Sequence, residues 1–180
     1  MDSITQAALG AAIGEATLGK HIGNKGAVLG AIVATIPDLD VALYLFYDKF
    51  EMLSIHRGFS HSVVFSIIGA VSIAYVLQRM KWTKMVSYQK LWIFTWLALF
   101  THMLLDTFTA YGTQLLLPFS DARIGFDSVN VVDPVYTIPL CKHSAGLASI
   151  PNQFRYERLS LAGEELLERF KSGVSLLSSC

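Results

Sequence analysis

The chain has 180 residues, 53% hydrophobic and 16% charged, with a formal net charge of zero and a mean hydropathy of +0.47. A soluble domain carries about 25% charged residues, and a chain this short cannot bury so much apolar surface in a core of its own, so lipid is the expected surrounding. Balanced charge and the lack of any nucleic-acid motif argue against a nucleic-acid partner. Cys141 and Cys180, far apart and outside any CxxC, argue against a disulfide framework or a thiolate metal site.

The N-terminus lacks the basic start of a signal peptide, so residue 1 is expected in the mature protein. The first apolar stretches are rich in small residues. Residues 4–18 carry Gly10 and Gly14, with Gly19 just beyond, and residues 26–36 carry Gly26 and Gly30 at GxxxG spacing. Small residues at that interval let membrane helices approach closely. Each stretch is short for a full span and is expected to tilt, re-enter or pack inside a bundle. Lys20, His21, Asn24 and Lys25 separate the two. Pro37 ends the second, because the residue before proline is driven out of the helical region, and a short apolar helix is expected over 41–47.

Two longer apolar stretches follow, 62–77 and 91–108, the second with Trp92 and Trp96 near its start. A helical span takes roughly 17–25 residues, so both are expected to cross the bilayer. Between them lies the densest basic loop, Arg79, Lys81, Lys84 and Lys90, which the positive-inside rule assigns to the cytoplasm. Beyond Gly112, apolar segments at 115–119 and 129–140 are interrupted by Pro118, Pro134 and Pro139. From Cys141 the composition turns polar, with an amphipathic surface helix expected over 161–170 and a disordered end over 172–180. The expected fold is an all-α, helical integral membrane protein with short small-residue helices at its N-terminus and a transmembrane hairpin. Residues 1–140 form its embedded domain and 141–180 an atypical polar tail.

Ionisable residues within spans or at their ends are costly and point to function. Four places carry them: Pro37-Asp38-Leu39-Asp40, His56-Arg57-Gly58-Phe59-Ser60-His61, His102-Met103-Leu104-Leu105-Asp106, and residues 127–133, which end on Asp133. In an antiparallel hairpin His61 lies at the depth of His102 and Asp106. Asp38 and Asp40 follow a helix that leaves the basic 20–25 turn toward the same face. The motifs therefore gather opposite the basic loops. His102 and Asp106, at i and i+4, share one helix face, while His56 and His61 frame a glycine-containing turn.

Neutral imidazoles and carboxylates ligate zinc, manganese or iron. Asp38, Asp40, His56, His61, His102 and Asp106 are thus the candidate ligands of a divalent metal, with zinc the first choice. The planar fork of Arg57 suits an anionic substrate group, and a spare carboxylate from Asp38, Asp40 or Asp133 suits a general base. Taken singly, each residue has a plainer reading. Asp38 or Asp40 fits a helix N-cap, His102 a buried histidine bonded to a carbonyl, Asp106 an interhelical hydrogen bond, and Arg57 a snorkelling interfacial residue. Glu15 reads either as a buried ligand or as lining a wet cavity. His21 and His143 lie away from the cluster and are expected at the surface.

The segments Asp2-Ser3-Ile4-Thr5-Gln6, Gly14-Glu15-Ala16, Pro37-Asp38-Leu39-Asp40, the His56–His61 and His102–Asp106 motifs, Thr109-Ala110-Tyr111-Gly112 and Val132-Asp133-Pro134 occur in that order. Over residues 1–140 this set resembles a family of bacterial inner-membrane proteins described as metal-dependent hydrolases, some of them LexA-regulated. The HRGxSH and HxxLD elements together are its specific part. The resemblance implies a multi-pass protein of the bacterial inner membrane with metal-dependent hydrolase activity, and it names no substrate. A more remote similarity, to helical zinc-dependent phospholipase C and nuclease-type enzymes, implies phosphoester chemistry. Two departures stand out. Gln6 occupies a position where many members have His, and Gln is a much poorer ligand; Glu15 is a candidate replacement. From Cys141 the chain is also unlike the family's continuation into further apolar spans, as a truncated or frame-shifted chain would be.

The functional expectation is a membrane-bound hydrolase acting on a phosphoester or lipid through a metal-activated water. Its partners would be the bilayer and a small-molecule or lipid substrate. The rival expectation is a cation or proton transporter using the same His/Asp cluster. A transporter would place polar residues on both sides of the midplane, whereas these crowd one face.

Overall fold

The computed structural model describes residues 2–39, 58–128, 137–139, 141, 142 and 146. Four helices run through them: α1 (Ser3–Ile22), α2 (Lys25–Thr35), α3 (Val63–Arg79) and α4 (Tyr88–Thr107), with a 3-10 turn over Phe59–His61 leading into α3. No strand occurs among the described residues beyond an isolated antiparallel bridge between Thr113 and Ile124. The all-helical expectation is met there.

Local chemistry fixes the helix ends. The Asp2 carboxylate caps α1, accepting from the Thr5 amide at 3.0 Å and the Thr5 hydroxyl at 2.7 Å. Such a cap satisfies one of the donors that a helix start leaves open. At the other end Gly23 adopts φ +62°, and its N–H reaches the Gly19 carbonyl at 2.7 Å. A side chain there would be strained, so glycine lets the chain reverse into α2. Ser62 caps α3, its hydroxyl accepting from the Phe65 amide at 3.1 Å.

The glycines predicted to bring helices together do so between α1 and α2. A Cβ built on Gly10, Gly14 or Gly30 would overlap the carbonyl of the glycine opposite, so the two backbones are in direct contact. Helix α4 packs against all three others. The shared core takes Leu18 from α1, Leu29 and Val33 from α2, Ala70, Ala74 and Leu77 from α3, and Leu91, Phe94, Ala98 and Leu99 from α4. The Thr95 hydroxyl also donates across to the Ala70 carbonyl at 3.1 Å. The turns at 22–25 and 80–87 then share one end of the bundle, and the other end holds residues 37–39, the 3-10 turn and the last turns of α4.

The stretches expected at 62–77 and 91–108 are present as the helices α3 and α4, whose crossing of a bilayer the structure does not show. No helix among the described residues is long and apolar enough to cross a membrane. Helix α3 has 17 residues, about 26 Å at 1.5 Å per residue, against a hydrocarbon core of ~30 Å. Helix α4 has 20 residues, but Gln89 and Lys90 in its first turn and His102 and Asp106 near its end dilute the apolar run. Its neighbour α3 nonetheless presents Ile67, Ile68, Val71, Tyr75 and Val76 outward, all exposed. The helices expected over 41–47 and 161–170 and the disordered end at 172–180 lie outside the described residues.

Candidate metal centre

Four side chains converge at the end opposite the basic turns: Asp38, His61, His102 and Asp106. They come from three places in the chain. Asp38 lies just beyond α2, in a 3-10 turn over 37–39; Ile36 keeps helical angles (φ −57°, ψ −44°), so Pro37 does not drive it out of the helical region as expected. His61 ends the 3-10 turn in front of α3, and His102 and Asp106 stack one turn apart on the inner face of α4. One ligand atom from each lies within 4.8 Å of all the others. His61, His102 and Asp106 are buried, and Asp38 stands at the rim with 17% of its side chain exposed.

The distances are compatible with a metal cage. The His61 and His102 Nε2 atoms are 3.1 Å apart. Asp106 Oδ2 lies 3.2 Å from His61 Nε2 and 3.6 Å from His102 Nε2. Asp38 Oδ1 lies 3.3 Å from His102 Nε2 and 3.7 Å from His61 Nε2. Bonds of about 2.0–2.1 Å arranged tetrahedrally around one ion set their ligand atoms ~3.3 Å apart, a value that lies within the 3.1 to 3.7 Å of these pairs. Two imidazole nitrogens and two carboxylates aimed at one point are also a donor set that such an ion takes. The residues present fit a divalent metal.

Most of the candidate ligands are held from behind, as metal ligands commonly are. Asp106 Oδ1 accepts from Gln6 Nε2 at 3.4 Å, and the same amide donates to the His102 carbonyl at 3.2 Å. Asp38 Oδ2 accepts from the Ser3 hydroxyl at 3.1 Å. Each carboxylate thus has one oxygen anchored by α1 and the other turned into the cluster. Ser60 Oγ lies 3.0 Å from His61 Nδ1. With Nδ1–H donating to that oxygen, the Nε2 lone pair faces the centre. For Asp38, burial opposes ionisation, but hydrogen bonds and positive charge from His102 and His61 outweigh it and hold the carboxyl well below the usual carboxylate range.

Of the residues predicted from sequence, Asp38, His61, His102 and Asp106 are brought together. Asp40, His56, Arg57 and Asp133 lie outside the described residues. Glu15, a candidate replacement for a histidine at position 6, is buried in α1 but is not in the group. It stands nine residues beyond Gln6, about 14 Å along the helix. Gln6 is fully buried and serves as an anchor for Asp106, a role its poor ligand chemistry had hidden. Ser3 and Ser60 were also missed, because serine beside a cap or a turn carries no metal signature. His21 is exposed and accepts from Lys90 at 2.9 Å.

A profile of the family described as YdjM inner membrane protein matches residues 1–163. The chain belongs to the YdjM family. That membership supports an inner-membrane location, in line with a second comparison. Inner membrane protein YbcI of Escherichia coli (strain K12) is 33% identical over 122 residues, covering 67% of this chain and 69% of that protein. Uncharacterized protein YfhP of Bacillus subtilis (strain 168) is 33% identical over 155 residues, covering 82% of this chain. This YdjM-family chain spans 46% of the length of the Bacillus protein. No solved structure matches it significantly.

Proposed function

We propose that this chain is a metal-dependent hydrolase embedded in the bacterial inner membrane as a multi-pass bundle, acting on a phosphoester or a lipid ester. The observation that carries the proposal is the convergence of Asp38, His61, His102 and Asp106 at metal-ligand spacing. A bound divalent ion would supply a nucleophile by lowering the pKa of its water and would polarise a phosphoryl or acyl oxygen.

The burial pattern suggests how the chain divides the work. His61, His102 and Asp106 are buried and form a two-histidine, one-carboxylate set, which catalytic sites use to leave a position open. Asp38 is the partly exposed member and borders that open side. Its depressed proton affinity keeps it ionised, fit either to complete the ligand set or to orient a water proton. Ser3 and Gln6 fix the two carboxylates by their outer oxygens, so each presents its inner oxygen without searching. Arg57 and Asp133 keep the substrate-binding and base roles proposed from sequence. The apolar outward face of α3 supports insertion, since a monomer in water rarely shows so contiguous an apolar surface. All four ligands sit at one end of the bundle, which favours an enzyme over a transporter, whose site would lie near the midplane.

The test uses detergent-purified protein. Wild type should carry about one divalent ion per chain, as a four-ligand site holds. The His61→Ala, His102→Ala double variant should carry none. A panel of phosphomonoester, phosphodiester and phospholipid substrates should show hydrolysis that a chelator stops and the metal restores. Metal binding without hydrolysis of any ester would sink the hydrolase reading and leave the metal site standing. Equal metal content in wild type and variant would sink both.

A further inference from the structure

At the opposite end of the bundle the fold joins two turns that are separate in sequence. Lys25 Nζ sits 4.7 Å from the ring centre of Trp82, and Lys90 Nζ donates to His21 Nε2 at 2.9 Å. These contacts dock the α1–α2 turn against the α3–α4 turn. Lys20, Lys25, Arg79, Lys81, Lys84 and Lys90 consequently share one surface, and every one of them is exposed. No Asp or Glu occurs in residues 16–37 or 62–105, so nothing on these four helix ends or their turns neutralises the charge. Trp82, Met85 and Tyr88 are exposed among them, and the Arg79 guanidinium lies 4.5 Å from the ring centre of Tyr75.

We propose that this end of the bundle is a binding surface for anionic phospholipid headgroups. The proposal rests on bilayer insertion and concerns a surface distinct from the metal centre. Its cations are dispersed over two turns and exposed, an arrangement suited to a layer of phosphates and not to one enclosed anion. Amphipathic aromatics and long basic side chains are the residues that settle at headgroup depth. The apolar outward face of α3 runs up to this rim, so inserting the helices brings the cations to the level of lipid phosphate. Each basic residue near an anionic surface adds about fivefold to the association at physiological ionic strength.

Trp82, Trp92 and Trp96 are the tryptophans of the chain, so the full-length Trp92→Phe, Trp96→Phe protein reports from Trp82 alone. It is reconstituted into phosphatidylcholine vesicles containing a minor fraction of brominated phosphatidylglycerol or, separately, brominated phosphatidylcholine. Quenching of Trp82 should be several-fold stronger with the anionic lipid. In ~1 M salt, where the screening length falls to ~3 Å, the difference should vanish. Adding Lys20→Gln, Lys25→Gln, Lys81→Gln and Lys84→Gln should abolish it, the corresponding Lys→Arg set should retain it, and Arg123→Gln, away from both turns, should leave it unchanged. Equal quenching by the two lipids, or a preference that survives salt or the glutamine set, overturns the proposal. Should the glutamine set fail to accumulate, the salt titration of the parent decides. Loss of the preference to excess inorganic phosphate, or to an RNA oligonucleotide at equal phosphate concentration, would assign the surface to a soluble anion or to nucleic acid and overturn it equally. Failure to enter vesicles would refute bilayer insertion as well, whereas insertion without preference refutes only this surface.

Discussion

His102→Ala removes one imidazole from a centre whose ligand atoms all lie within 4.8 Å of one another, and its consequence can be sized. A ligand that binds only the native state stabilises it by RT ln(1 + [L]/Kd), about 2.7 kcal/mol at a free metal concentration of ~100 Kd. For a chain of this size each kcal/mol moves Tm by roughly 2–4 °C, so a chelator should lower the Tm of wild type by about 5–11 °C. Loss of a mere supporting hydrogen bond weakens metal sites by about 10–100-fold, and loss of a ligand should weaken this one by at least the larger factor. At the same free metal the variant then keeps about 0.4 kcal/mol or less, and chelation should move its Tm by roughly 1 °C. Each protein is compared with itself, so the cavity left by the buried imidazole cancels. The assay is a thermal melt of detergent-purified protein with zinc, with manganese and with chelator. Equal chelator shifts in the two proteins would refute the reasoning and return His102 to a packing role.

Gln6→Ala removes the amide that fixes Asp106 Oδ1 and the His102 carbonyl, and should weaken metal affinity by about 10–100-fold without abolishing it; titration with a competing chelator measures this, and an unchanged Kd would show the amide to be irrelevant. Gly30→Val places a side chain where the Gly10 carbonyl stands, so overpacking should cost about 1–3 kcal/mol, read as a lower Tm in metal-free protein; an unchanged Tm would mean that the α1–α2 seam is loose. Acidifying metal-free protein below the usual carboxylate range (~3.9) should cost stability progressively, because the depressed proton affinity of Asp38 contributes stability above the unfolded-state value and loses it as pH falls; Asp38→Asn should flatten that slope, and an identical slope would remove Asp38 from its source. For topology, Met85→Cys is the suitable probe, being 87% exposed, whereas Thr83 is buried with its hydroxyl bonded to the Leu77 carbonyl; labelling of the introduced thiol from the periplasmic side of intact cells would reverse the assigned orientation.

Much of the site was legible because its residues obey simple periodicities. His102 and Asp106 one turn apart must share a face, and the basic turns give the direction of each helix. From these alone Asp38, His61, His102 and Asp106 could be placed at one end. The glycine seam was legible for a similar reason, since GxxxG spacing encodes a close approach. What stayed hidden depended on three-dimensional neighbours. Gln6 reads as a failed ligand until the Asp106 carboxylate is seen beside its amide, and Ser3 reads as a helix-start residue until Asp38 returns to meet it across α2. The ends of the two long helices were harder to read, because hydropathy alone does not stop a helix. Helix α3 yields at Met80, whose extended backbone ends it after 17 residues, and the inner face of α4 carries the candidate ligands His102 and Asp106.

The seam between α1 and α2 is locked by interdigitated backbone, whereas the contact between that hairpin and α3–α4 is made by side chains: an apolar core, the Gln6 amide on Asp106 and His102, and Lys25 and Lys90 on Trp82 and His21. Such a contact holds axial register less firmly than meshed backbone does. Asp38 belongs to one hairpin and His61, His102 and Asp106 to the other, so an ion gripped by all four would act as a dowel that sets their axial stagger. A slip of a single residue, ~1.5 Å, would already exceed the tolerance of a 2.0–2.1 Å coordination bond. Correct registration of the two halves would then be a task that the metal shares with those side-chain contacts.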